Sequence, residues 1–404
     1  NISGDINPNN AGIQKEKNDV NLFRTWLNLN ATYKPPTQYF SLHSKLILAN
    51  DSTNEVDNKL VNYDAFPVKF PGNLAANDDH WVANLSEIYA DVNLGNAFFR
   101  VGKQLITWGE ADGLRLADLV NPVDLSWHLF VDGIPEGYEN NRIALWAADG
   151  IFTIPNDLIK NLQIEGVIIP TRFVPTQFPA TGSPYNLLPF EANLPFFKID
   201  ENIPKSAEFG GRIMGNVSEG AYVTLYYFNH FFQDPLLKIN NIIFVPFTIN
   251  ASFEHPRYDS MGLTFNYDWK EAKSVVRGEF AYEPNHPFEV DANANIEDRQ
   301  VLRYVLGIDR EAFIPLVHAT RTCLLSFQLY QIRLLEKRGE VDRLTLGGSK
   351  VKKDITQLSF LFESRHLHDN LITDLFFFYD VTRDGWWIQP NILYKWGDHW
   401  RFTV

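Results

Sequence analysis

Four carboxylates crowd one stretch of the chain. VGKQLITWGEADGLRLADLVNPVD, residues 101–124, sets Glu110, Asp112, Asp118 and Asp124 around Trp108, Gly109 and Gly113. Paired carboxylates at fixed spacing can act as general acid and base, or hold a hard cation. Here no nucleophile or base stands at a fixed spacing beside them, so the set is incomplete for catalysis. The same residues serve equally well as loop caps and hydrogen-bond anchors, with Leu114, Leu116 and Leu119 giving the segment an apolar face to pack inward.

Other chemical constellations are weaker. His366 and His368 share a face at i, i+2 but have no third ligand in sequence reach, which points to a turn or rim role rather than a metal site. DINPNNAGIQKE at 5–16 places Asp5, Asn7, Asn9 and Glu16 at calcium-loop spacing, yet Asn10 stands where the loop needs Gly, so it reads as a polar outer loop. HExxH, GxSxG, P-loop and GxGxxG motifs are missing. Cys323 is the single cysteine, which removes disulfide frameworks, four-Cys metal sites and the CxxCH haem signature; its neighbours Leu325 and Phe327 make it a small hydrophobe. The sequence calls for no cofactor, no metal and no enzyme activity.

Composition narrows the class. A net charge of −13 over 404 residues argues against nucleic acid as a partner. No run of 18 apolar residues exists, so no helix crosses a membrane. Barrel strands, however, hide their hydrophobicity in every second residue. The aromatic content of 14% is high.

The elements that would position these residues follow a period of two. In 260–269 Met261, Leu263, Phe265, Tyr267 and Trp269 share one face, and Ser260, Thr264, Asn266 and Asp268 the other. Arg277, Glu279 and Glu283 oppose Val276, Phe280 and Tyr282; Arg303 and Asp309 oppose Leu302, Tyr304, Leu306 and Ile308. Segments run longer than ordinary strands, at a length suited to a tilted membrane crossing. Tight connections at 34–37, 94–96, 217–220, 270–273 and 368–370 alternate with long ones at 51–79, 109–141, 172–205, 233–255 and 336–353. Aromatics gather beside the turns, as in the girdles of membrane barrels: Tyr267 and Trp269, then Tyr394, Trp396 and Trp400.

The pattern predicts an all-β fold: a transmembrane antiparallel β-barrel forming a single domain over 1–404, in an outer membrane and in contact with its lipid. Sixteen strands are expected near 19–33, 38–50, 80–93, 97–108, 142–152, 160–171, 206–216, 221–232, 257–269, 274–284, 299–312, 322–335, 354–367, 371–382, 386–396 and 399–404. Turn parity and the missing terminal aromatic call for one more strand at each end, eighteen in the full chain. The long connections, 172–205 with its six prolines above all, are expected to be irregular. Trp108 is expected where its strand meets the outer interface.

Inward positions then carry ten cations, among them Arg100, Arg142, Arg212, Arg277, Arg303 and Arg365, and ten anions, among them Glu165, Glu279, Glu283 and Glu363. Such balance predicts cross-strand pairing and weak ion selectivity. Net negative charge falls to loops such as 51–79, 109–141 and 286–298. The expected pore lining is Arg100, Arg142, Arg212, Arg277, Glu279, Arg303, Glu363 and Arg365, and the expected constriction loop carries Trp108, Asp112, Asn121 and Asp124.

LSEIYADVNLGNAFFRVGKQLITW at 85–108, with GEADGLRLADLVNPVDL after it, resembles a family of bacterial outer-membrane β-barrel proteins related to alginate-export-type porins. The resemblance lies in Arg100-Val101-Gly102-Lys103-Gln104, Trp108-Gly109 and Asn121-Pro122-Val123-Asp124, and in AEFGGRIMGNVSEGAYVTLYYF at 207–228. It implies an 18-stranded outer-membrane barrel and leaves the substrate open. The balanced inner faces depart from the strongly basic lumen of the alginate exporters. Two functions are carried forward: a porin-like channel or transporter for a small or hydrophobic solute, and a non-catalytic structural barrel that sheaths or anchors a periplasmic or extracellular partner, such as an electron carrier or a surface filament.

Overall fold

The computed structural model describes residues 2–4, 20–36, 39–51, 81–109, 116–124, 142–170, 173–177, 197–290, 295–318, 320–346, 349–397 and 400–403. In chain order the strands are β1 (Ile2–Gly4), β2 (Val20–Tyr33), β3 (Phe40–Asp51), β4 (Trp81–Leu94), β5 (Ala97–Gln104), β6 (Leu145–Ile154) and β7 (Lys160–Ile169). Then come β8 (Phe197–Asn202), β9 (Glu208–Ser218), β10 (Ala221–Phe231), β11 (Leu236–Phe244), β12 (Phe247–Glu254), β13 (Arg257–Trp269), β14 (Ser274–Val290) and β15 (Asn295–Phe313). The last are β16 (Thr322–Leu334), β17 (Leu344–Leu346), β18 (Ser349–Lys350), β19 (Asp354–His366), β20 (Leu371–Asp380), β21 (Gly385–Trp396) and β22 (Trp400–Thr403).

One sheet takes nineteen of these strands, and every ladder in it is antiparallel. Its spine follows chain order from β1 to β22, skipping β8, β11 and β12, with the β17–β18 ribbon added at the upper end of β14. All sixteen strands expected from the alternation are present, and β1 pairs with β2 ahead of them. Among the described residues no ladder joins β22 back to β1 or β2. The sheet curls all the same. Ala147 of β6, Val167 of β7, Phe228 of β10, Ala281 of β14, Val305 of β15 and Tyr330 of β16 all belong to one buried cluster gathered around Ile106, Trp108, Leu116, Leu119 and Val120 on the inner face.

The two faces differ as a bilayer requires. Leu225, Ile213, Met261, Leu306, Phe327, Ile388 and Ile392 point outward and stay 37–53% exposed. Trp269, Trp386, Trp396 and Trp400 stand exposed near the strand ends. The opposite parity carries Glu165, Glu279, Glu283, Thr224 and Gln328, all nearly buried. With backbone pairing running strand to strand from β1 to β22 and apolar side chains outside, this is the arrangement that crosses an outer membrane with strands. Cys323 keeps the outward parity of Leu325 and Phe327 but is packed to 1% exposure by its neighbours.

Several long connections are more ordered than their prolines suggest. β11 and β12 form a hairpin within 233–255, and β8 joins β12 in parallel to make a second, three-stranded sheet. Prolines 175, 204, 246 and 256 sit between strands, so the ladders escape them. The segment 336–353 holds a helical turn at Arg338–Val341 and the β17–β18 ribbon. β14 and β15 also outrun their predicted ends and pair up to Val290 and Asn295, so most of 286–298 is ladder rather than loop. Here cross-strand pairing overrides the polar composition.

Gly102 explains part of the Arg-Val-Gly-Lys-Gln run. Its φ is +138°, and a Cβ there would lie 2.3 Å from the Ile88 carbonyl oxygen and 2.6 Å from Tyr89 Cα. Both are backbone atoms of β4 and cannot step aside. Gly102→Ala is therefore expected to cost about 2 kcal/mol or more. Denaturant unfolding of the refolded barrel in lipid vesicles measures this.

Candidate constriction inside the barrel

The chain leaves the sheet at Gln104 and turns inward. Gln104 is fully buried and its amide donates to the Ala147 carbonyl at 3.0 Å and to the Arg100 carbonyl at 3.2 Å. Asn121 closes the base of the segment: its Oδ1 accepts the Ile106 N–H at 2.7 Å, and its Nδ2 donates to the Ile143 carbonyl at 2.8 Å. One amide side chain thus ties the departing and the returning chain together.

Trp108 accordingly does not sit at the outer interface. It is 2% exposed inside the barrel, because the strand ends four residues before it. Its indole donates to Glu165 Oε1 at 2.7 Å, and its ring packs edge-on against Phe228 at 5.5 Å. Glu165 Oε2 accepts Arg212 Nε at 2.6 Å, and the Arg212 guanidinium lies over the Trp108 ring at 5.5 Å. A carboxylate buried to 2% exposure is thereby matched by one cation and one neutral donor.

Further along, Leu116 and Leu119 are buried against the inner wall as their apolar pattern predicts, together with Ala117 and Val120, while Leu114 lies outside the described residues. The Ala117 N–H donates to Glu279 Oε2 at 2.9 Å. Asp118 pairs with Arg142, both nearly buried. Gln233, at the start of the connection 233–255, donates to the Leu119 carbonyl at 2.7 Å. Gln177 N–H donates to the Val123 carbonyl at 2.9 Å, and Asp124, 9% exposed, bridges to Gln177. Gly109 permits the close return, since a Cβ there would lie 2.9 Å from Asp118 Cβ. Glu110 and Asp112 lie outside the described residues, as does the stretch 5–16.

The remaining predicted wall residues are paired. Arg100 makes a two-pronged contact with Asp91, at 2.7 and 3.0 Å, beneath the Tyr89 ring. Arg277 pairs with Asp309, and Arg303 with Glu283, which also holds His286 Nδ1 at 2.6 Å. Glu363 and Arg365 pair at 2.6 Å on β19, and Arg365 stays 57% exposed. His366 lies 5.2 Å from His318 and bonds Ser364, a local turn arrangement. The pairs of Arg100, Arg277 and Arg303 join adjacent strands, in keeping with the cross-strand pairing that the charge balance predicts. Glu165 and Asp118 are central to the segment, yet the Trp108–Glu165 and Asp118–Arg142 contacts span 57 and 24 residues and leave no local signal.

Removing Arg212 strands a buried carboxylate, a loss of about 3–5 kcal/mol. Arg212→Leu is expected to show it in denaturant unfolding. Arg212→Leu combined with Glu165→Leu is expected to recover a good part of that loss, a coupling that separate, additive effects would not produce.

Comparison with known proteins adds a family and a fold likeness. Among solved structures, OccAB4 of Acinetobacter baumannii aligns at a TM-score of 0.45 and 10% identity, covering 100% of this chain and 88% of its own. The outer-membrane channel DcaP of the same organism gives 0.44 and 7%, covering 93% and 86%. The carbohydrate-binding barrel Wzi of Escherichia coli gives 0.46 and 9%, covering 94% and 74%. No curated protein sequence matches. A family model described as protein of unknown function (DUF1302) matches residues 40–347, from β3 through β17 and including the whole inward segment. The chain belongs to the DUF1302 family.

Proposed function

We propose that this chain is a passive outer-membrane channel for a small solute, and that the inward stretches 105–109 and 116–124 form its constriction. The reading rests on one observation, the asymmetry of the inner wall. From β5 to β16 that wall is covered by Ile106, Trp108, Leu116, Leu119 and Val120. From β19 to β21 it keeps half-exposed inward residues, Glu363, Asp374, Phe376, Trp387, Gln389 and Asn391. A passage between the two is narrow, lined on one side by tightly held apolar atoms and on the other by mixed polar and aromatic groups. That lining suits a small neutral or hydrophobic solute.

The wall charges support weak selectivity. Arg100, Arg142, Arg212, Arg277 and Arg303 each sit on a carboxylate, so these five cations form no unpaired run along the wall. An anionic polymer such as alginate needs such a run. No chemical step belongs to this reading. The apolar packing of the β5–β16 side also favours the second one, a structural barrel that anchors a partner, because a dry interior is what such a barrel needs.

Conductance in planar bilayers separates them. The purified chain is expected to give small, weakly selective steps. Replacing residues 109–141 with a short flexible linker is expected to raise the conductance roughly twofold or more, because it clears the inner wall. No conductance in either form refutes the channel and leaves the structural reading.

A further inference from the structure

The sheet formed by β8, β11 and β12 plays no part in the channel reading. It packs on the upper ends of β14 and β15: Leu237 N–H donates to Glu289 Oε1 at 2.8 Å, and Ile296 packs on Leu236 and Phe232. At its base lies a cavity of about 680 Å³, lined by Glu201, Asn202, Lys205, Lys238, Glu254 and His255 with apolar Pro and Ile between them. Its size falls in the range of small-molecule sites, about 300–1,000 Å³.

The hydrogen-bond arithmetic of this cavity says what fits. His255 is 4% exposed, and its Nδ1 lies 2.8 Å from the Phe232 carbonyl oxygen. A carbonyl only accepts, so Nδ1 carries the proton and Nε2 keeps its lone pair. Burial holds the imidazole below its ordinary pKa, which keeps the ring neutral. Nε2 has no protein partner, and a buried acceptor without one is costly. Beside it, Glu254 Oε1 accepts Asn202 Nδ2 at 2.6 Å and Ser252 Oγ at 2.7 Å. These two neutral donors orient the carboxylate and leave its charge in place. Among the described residues neither Glu254 nor the half-buried Lys238 has an ion-pair partner, although both line the same cavity.

An anionic acceptor, a neutral acceptor and a separate ammonium call for a ligand with an N–H-rich cation at one end and an anion at the other. Among the described residues no Phe, Tyr or Trp lines the cavity, so they offer a sugar ring no flat face to stack on. We propose that this cavity captures a small zwitterion, a free amino acid or short peptide, with its ammonium on Glu254 and His255 and its carboxylate on Lys238. The site lies apart from the inward segment, so it stands or falls separately from the channel.

Titration calorimetry on the whole chain in detergent micelles tests this, with tri-L-alanine, N-acetyl-tri-L-alanine, tri-L-alanine amide and maltotriose as probes. Tri-L-alanine is expected to bind, and blocking either end to weaken binding about tenfold or more, the worth of one charge-assisted contact. In Glu254→Gln acetylation should cost nothing further, and in Lys238→Gln amidation should cost nothing further. Absence of heat with tri-L-alanine, equal binding of the blocked peptides, or binding of maltotriose in their place overturns the proposal. Should either variant misfold, the four probes on the unaltered chain still decide it. Bilayer conductance, which this experiment does not read, decides the channel separately.

Discussion

Glu165 and Glu279 are almost wholly buried on the inner face of a sheet whose outer face is apolar. Neither carboxylate can turn outward into lipid, and neither keeps contact with water. Each must be met from inside, because an unmatched buried charge costs several kcal/mol. The stretches 105–109 and 116–124 are built around that demand. Trp108 and Arg212 serve Glu165, and the Ala117 backbone serves Glu279. The apolar side chains between these contacts then fill the space against Phe228, Ala281 and Val305. Polar anchoring fixes where the segment lies; apolar packing supplies the area that holds it there.

The same demand organises the rest of the wall. Arg100 with Asp91, Arg277 with Asp309 and Arg303 with Glu283 repeat one device, a cross-strand pair on adjacent or nearly adjacent strands. These pairs are local to the sheet and close regardless of what the interior holds. The contacts at Glu165, Glu279 and Asp118 differ, since they join the wall to a segment that is not part of it. The first kind stabilises a barrel; the second decides how much of its interior is open.

Strand alternation made the sheet legible because one face must be apolar and the other need not be. The period survives in the sequence wherever a strand is exposed to two media, as in 260–269 or 301–309. It is lost in β8 and β11, which pair outside the main sheet. β11, LLKINNIIF, has no clean alternation, and β8 is short and flanked by prolines, so the outer sheet read as loop. Trp108 was misplaced because the apolar Leu105, Ile106 and Trp108 look like the continuation of a strand, while the register ends at Gln104. Nothing local marks that exit, because Asn121 and Ala147 enforce it from far along the chain. Leu116 and Leu119 were legible as inward residues, whereas Asp118 became intelligible only once Arg142 lay beside it.

The central claim is that residues 116–124 lie within the barrel in the folded protein. Ala117 is fully buried and small enough to exchange for Cys with little disturbance. The most direct measurement is the labelling rate of Ala117→Cys, in a Cys323→Ser background, with a charged, water-soluble maleimide. Labelling many times slower in the folded barrel than in denaturant is the predicted result. Labelling of the folded barrel as fast as that of the unfolded chain would contradict the account.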